Sequence, residues 1–312
     1  MDVRNSVFIA LWIMIVMQVL VPLALSVQIL FSRRMDIFQR LSIYAFSTVY
    51  ALFIYLMGNW SIVPYPLRYI VPAVIILSMV YSWWKGKPAN GRGGAGYFLN
   101  ISFYIFLALV FAYLDFRAVS GLKPDKPAVE FSFPLRSGFI YHGGNSPLLN
   151  YHNVDTTAQR YALDIVALNE YGTRAYGLYP KNLHKYAVFE DTVFSPCDCM
   201  VLHAVDTLSD MAPGIMDTSN PAGNHLILRM DSFLVVLAHL RQNSVMVRVG
   251  DSAFMGQSLA LVGNSGNTSE PHLHMHVTVG GDVSDAMRGR GVPIAFGGKF
   301  PVRNDVFRGS FR

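Results

Sequence analysis

The segment Pro271-His272-Leu273-His274-Met275-His276-Val277 puts three of the chain's nine histidines at every second position. Directly before it runs GNSGNTSE, a stretch of turn-forming Gly, Asn and Ser. On a β-strand, residues i and i+2 point to the same face, so His272, His274 and His276 would line one side. One histidine on a strand is ordinarily a packing or surface residue. Three on one face beside a flexible turn form a candidate metal set. Neutral imidazole is the commonest metal ligand, and a catalytic zinc needs three protein ligands with a further position left open.

The elements that must carry this set lie in the second half of the chain, since every histidine falls at or after His142. Short apolar runs recur there: AVEFSF (128–133), YALDIVAL (161–168), CMVLHAV (199–205), HLILRM (225–230), FLVVLAHL (233–240), SVMVRV (244–249), SLALVG (258–263) and HLHMHVTV (272–279). Each is bounded by Gly, Pro, Asn or Asp, the pattern of an antiparallel β-sandwich or barrel-like domain. No helix-period stretch of useful length follows residue 125. The segment 121–130, GLKPDKPAVE, reads as a linker, 131–300 as one β domain of ample size for a core, and 301–312 as a tail.

The first 120 residues are of another kind. The chain is 52% hydrophobic and 14% charged, against about a quarter charged in soluble domains. Four apolar runs without a charge, at 7–31, 41–60, 69–84 and 97–114, account for the deficit. A helix crossing a bilayer core needs about 20 residues, so these are expected as four all-α transmembrane helices. The third is short and contains Pro72. The first is too long for a signal-peptide core, and Ser32-Arg33-Arg34 is no small-residue cleavage site. Arg33, Arg34, Arg40, Lys85, Lys87 and Arg92 follow the first and third runs, against Arg4, Arg68, Arg117 and Lys123 on the other side. The positive-inside tendency then puts both termini, and with them the β domain, outside the cytoplasm. The basic residues form no basic-aromatic stripe, so nucleic acid is not expected as a partner.

GDSAFMGQSLALVGNSGNTSEPHLHMHV resembles the C-terminal signature of the lysostaphin-type, LytM-like zinc endopeptidases that hydrolyse peptidoglycan. The resemblance extends to LVVLAHL, VFSPCDCMV and NPAGNHLIL and covers roughly residues 140–280. It implies a metallopeptidase with zinc as cofactor and envelope peptides, above all peptidoglycan crosslinks, as substrate; the four apolar runs, which the resemblance does not cover, would anchor it in the cell membrane. It implies Asp164 and His274 as metal ligands and His239 and His272 as the catalytic histidines. Its pattern His-x-x-x-Asp is broken, because Arg160 stands four residues before Asp164 and a guanidinium stays protonated. His152, twelve residues before Asp164, is the favoured substitute, since a loop of that length closes at small entropic cost. His142, beside Gly143-Gly144, is the second candidate. If neither reaches the metal, the domain is a non-catalytic relative that recruits or activates a wall partner. A sugar-phosphotransfer carrier of similar β architecture would need a cytoplasmic location and no ligating aspartate.

The remaining features read as structural. His276 is expected to be a buried strand residue, and His184, His203 and His225 to pack. Cys197 and Cys199, two apart on an expected strand, would point the same way and seldom form a relaxed disulfide. The insertion NEYGTRAYGLYPKNLHKY (169–186) has no counterpart in the resemblance; bordering the cleft and being a surface loop are both open.

Overall fold

A computed structural model describes residues 3–32, 35–86, 93–154, 158–280 and 282–309. Arg33, Arg34, Lys87 and Arg92 of the charge count lie outside the described residues. The chain divides into two compact units, one of residues 10–119 and one of residues 120–312 with the first nine.

The first unit is helical. Helices α1 (Val3–Ile15) and α2 (Val21–Ser32) are joined by a π-turn over Val16–Leu20, and α3 (Ile37–Met57), α4 (Leu67–Lys85) and α5 (Ala95–Ser120) follow. Taken with α1 and α2 as one span, four helices are long and apolar enough to cross a membrane. They run beyond the four charge-free sequence stretches, so that Arg40, Arg68, Asp115 and Arg117 fall within helices. Their outward surface is apolar: Trp12, Phe31, Leu77, Trp84, Leu99 and Phe116 are exposed, while Gln18, Arg40, Ser47 and Asp115 are buried. This inverts the usual arrangement of a water-soluble domain.

The second unit is mostly antiparallel β. Its strands are β1 (Val129–Phe131), β2 (Ser137–His142), β3 (Leu163–Val166), β4 (Thr192–Phe194), β5 (Cys199–Val205), β6 (Asn224–Met230), β7 (Phe233–Leu240), β8 (Ser252–Ala253), β9 (Ser258–Leu261), β10 (Leu273–Val279), β11 (Arg290–Gly291), β12 (Ile294–Phe296) and β13 (Val306–Arg308). The main sheet runs β13-β2-β3-β10-β7-β6-β5-β8, with β11 also on β10. Two small pairs, β4–β9 and the parallel β1–β12, complete the set, and no sheet closes into a barrel. Strands β5 and β7 occupy the residues of their sequence runs. SVMVRV does not form a strand. The segment read as a tail contributes β13, which pairs with β2, and one helical turn, α6 (Val283–Arg288), follows β10.

Alternation divides the main sheet into two faces. Leu163, Ile165, Leu226, Leu228, Val235, Leu237, Leu273, Met275 and Val277 point into the main core. Ile227, Leu234, Val236 and Ala238 point to the other face, where Ala286 of α6 covers part of them. Strand β10 is buried along its whole length apart from its last residue, flanked by β3 and β7. Leu237, fully buried at the centre of the sheet, should be costly to truncate. Leu237→Ala is expected to lose about 2–5 kcal/mol, read as a lowered thermal unfolding midpoint of the β unit.

Candidate metal centre

Asp164 lies in the middle of β3, and its Cα neighbours across the sheet are His142 on β2 and His274 on β10. One row of the sheet therefore holds an imidazole, a carboxylate and an imidazole on adjacent strands. His142 Nδ1 lies 2.8 Å from Asp164 Oδ2 and His274 Nδ1 2.9 Å from Oδ1. His152 Nε2 reaches both carboxylate oxygens, at 3.1 and 3.0 Å, and His272 Nε2 lies 3.4 Å from Oδ1. His239 completes the cluster, its ring centroid 4.7 Å from His272 and 5.8 Å from His274. The structure thus brings together all five residues expected at the site, and adds His142.

Two of these histidines reach the site through β-bulges. On β7, Leu237 and Leu240 both face the core, although under strict alternation residues three apart face opposite sides. The register shift between β6 and β7 leaves His239 as the extra residue, at a positive φ of 62°. The bulge turns His239 toward the same face as Ala238 rather than into the core. A non-glycine residue in this conformation carries a backbone cost of order 1–3 kcal/mol, the kind of strain found where a side chain must be aimed. On β2, Ile140 pairs with Ile165 and His142 with Asp164, so Tyr141 is the extra residue and His142 faces the carboxylate. His152 comes from a 3-10 turn, Tyr151–Val154. The fully buried Asn150 holds that turn: its Oδ1 accepts from His152 N, and its Nδ2 donates to Ala162 O beside β3.

The nitrogens directed away from the cluster are fixed by backbone carbonyls. His239 Nδ1 donates to Ser265 O at 2.9 Å, His272 Nδ1 to Glu270 O at 2.9 Å, and His276 Nε2 to Ala286 O at 2.9 Å. His276 Nδ1 is then left to accept from His274 Nε2, 3.0 Å away. In this tautomer set His239 and His272 turn Nε2, and His274 turns Nδ1, toward the cluster. Glycines make the Ser265 anchor reachable. A Cβ on Gly223 (φ 58°) would collide with Ser265 O, and Asn224 N donates to Ser265 Oγ across the same contact.

Charge follows from these contacts. Burial pushes the Asp164 carboxyl up, but the imidazoles of His152 and His272 and the hydrogen bonds from His142 and His152 outweigh it and hold it well below the carboxylate range. For His152 and His272 burial is likewise outweighed by Asp164, so both are raised. Burial lowers His142 and His274, lowers His239 well below the ordinary imidazole value, and takes His276 down to about 3. The centre therefore combines one anionic oxygen donor with imidazole nitrogens, three of them on rings that burial favours neutral (His142, His239 and His274), the donor chemistry that zinc prefers. Two groupings, His142/His152/Asp164 and His239/His272/His274, each bring their donor atoms within 4.8 Å of one another.

Other expectations change. Arg160, where the resemblance has a ligand, points away and pairs with Asp125 at 2.9 Å. His276 is buried as expected, but it also hydrogen-bonds His274. His203 and His225, expected to pack, line an open groove of about 690 Å³ that also contains His152, His239, His274 and His276. His184 is exposed, 3.6 Å from Glu190. Cys197 and Cys199 form a disulfide, Cα–Cα 5.5 Å. Cys197 sits in a bend before β5, so strand alternation does not constrain the pair.

Residues 187–286 match peptidase family M23. The chain carries a peptidase family M23 domain. The M23 segment contains His239, His272, His274 and His276 but begins after His142, His152 and Asp164. Among solved structures, the chain is similar to a Pseudomonas aeruginosa protein named as a peptidase M23 (14% identity over 51% of this chain and 49% of that one, TM-score 0.30). It is also similar to a zinc-containing peptidase from Vibrio cholerae (22%, 42% and 48%, TM-score 0.24) and to the catalytic domain of lysostaphin from Staphylococcus simulans (22%, 36% and 82%, TM-score 0.20). The chain spans about half the length of the first two. No curated protein matches it.

The charge pattern has a testable sign. Raised imidazole values contribute stability that is complete below the ordinary histidine pKa of about 6.5 and is lost as pH rises through the folded-state values of His152 and His272. In the chelator-treated chain, Asp164→Asn removes the attraction that raises them. It is expected to cost about 1–3 kcal/mol through unsatisfied buried donors, and to cost more near about pH 6 than near about pH 8.5. Equal losses of thermal midpoint at both pH values would show that Asp164 does not hold these imidazoles charged.

Proposed function

We propose that this chain is a membrane-anchored zinc endopeptidase that hydrolyses peptide bonds in the cell envelope, with peptidoglycan crosslinks as substrate. The observation that carries the reading is the buried Asp164 carboxylate ringed by imidazoles whose far nitrogens are tied to fixed acceptors. The M23 match supports peptide-bond hydrolysis and a wall peptide as substrate. The inside-out surface of four long apolar helices supports a bilayer around the first unit. The disulfide and the loop charges support an extracytoplasmic second unit.

His152, Asp164 and His274 hold the metal in this reading, and His239 and His272 carry the acid–base work. When bound, zinc supplies a Lewis acid that lowers the pKa of water to about 7 and polarises the scissile carbonyl. The peptide lies in the groove along the exposed sheet face, whose floor includes Ile227, Val236 and Ala238. His239, kept neutral by burial, takes a proton at Nε2 while Ser265 O holds its Nδ1–H. His272, whose Nδ1–H is held by Glu270 O, directs Nε2 at the developing oxyanion or leaving amine and donates there in its protonated form.

Metal content and hydrolysis, measured on the same preparations of the full chain, test this. One zinc per chain is expected. His152→Ala should lose most of it and His142→Ala should retain it; the opposite result moves the ligand to His142. His239→Ala and His272→Ala should keep zinc while turnover of solubilised peptidoglycan falls at least about a hundredfold. Loss of zinc in His272→Ala would make that residue a ligand. A wild-type chain without metal or turnover would leave a binding domain that recruits or activates a wall partner. A C-terminal reporter active only in the cytoplasm would overturn the topology.

A further inference from the structure

The insertion at 169–186 sends a charged side chain into the β unit. Arg174 is 2% exposed, and its guanidinium makes a two-pronged contact with Glu270: Nε to Oε1 at 2.7 Å and Nη2 to Oε2 at 2.8 Å. Nη2 also donates to Leu178 O within the insertion. A second strut lies alongside, where Tyr179 OH donates to Ser269 O at 2.7 Å. Both struts land on the turn that leads into His272. The carbonyl of Glu270 accepts from His272 Nδ1 and, at 2.8 Å, from Thr268 Oγ1. The residue clamped by Arg174 is thus the one whose carbonyl fixes the His272 tautomer.

Stability alone is a poor account of this pair. Desolvating two full charges is expensive, and well-packed apolar replacements for buried ion pairs are often neutral or stabilising. A planar fork does supply orientation. We propose that Arg174 is a positioning residue: through Glu270, and helped by Tyr179, it locks the 268–272 turn so that His272 presents Nε2 to the metal centre. The insertion is then a brace for the catalytic turn, supplied from outside the M23 segment. This rests on the proposed peptidase reading, in which His272 takes part in catalysis.

The test uses the full chain, zinc-loaded in detergent, with solubilised peptidoglycan as substrate. In the double variant Arg174→Met/Glu270→Leu the thermal midpoint and zinc content should stay at wild-type level. kcat should fall about 10–100-fold, the scale of an ångström-sized misplacement, with KM little changed. Arg174→Lys, which keeps the charge but not the fork, should fold and give an intermediate kcat; it decides the matter if the double variant does not fold. Wild-type kcat in the double variant, or in Arg174→Lys, overturns the inference. So does a rise in KM at constant kcat, which would make the insertion a substrate contact. A wild-type chain without turnover overturns the peptidase reading and this inference together, whereas active wild type with equally active variants overturns this inference alone.

Discussion

A single buried carboxylate organises the centre. Asp164 is enclosed by the sheet, and burial by itself would drive it toward the neutral form. Four imidazoles at hydrogen-bonding or ion-pairing distance keep it anionic. The dependence is mutual, because those imidazoles are largely buried as well and Asp164 is the carboxylate they share. Removing the carboxylate would leave several buried donors without an acceptor, so the local structure of β2, β3, β10 and the 151–154 turn is tied to one side chain. A metal ion would relieve the same tension by replacing the shared protons with a shared cation.

Much of the architecture was legible from pattern alone. The change from long charge-free runs to short alternating ones marks the division between the units, and β5 and β7 fall on their apolar runs. The i, i+2 rule placed His274 and His276 on one face of β10, and the structure keeps them there. Residues that depend on departures from periodicity were harder to read. By alternation His142 belongs to the core side of β2 and His239 to the core side of β7; the bulges put both on the other face. Nothing in the local sequence announces a bulge at Tyr141, and beside Gly143-Gly144 His142 reads as the end of a strand. The disulfide was missed for a related reason: Cys197 was assigned to a strand that begins two residues later.

The supporting residues were less visible still. Asn150, Ser265, Glu270 and Ala286 act on the histidines through backbone atoms or through a single side-chain oxygen. Such contacts depend on where two distant loops meet, as when Gly223 lets the 221–224 turn press against Ser265. Residue type narrows the choice little for a carbonyl acceptor, since every residue carries one. Arg174 and Glu270 were present in the sequence as ordinary charges, 96 positions apart. Only their burial against one another marks them.

The cross-strand row His142–Asp164–His274 also constrains how this chain can vary. Side chains on a strand alternate with period two, so a shift of one residue moves a whole set of side chains to the opposite face. Deleting a residue from β3 or β10 ahead of the row would therefore bury a donor in the apolar core and lift a leucine or isoleucine into the site. In β2 and β7 the bulges already contain one surplus residue each, and loss of that residue would restore regular pairing, which favours the sheet while it empties the site. Frame changes in these strands thus separate folding from chemistry more cleanly than substitutions do. Variation in length should accordingly collect in the loops.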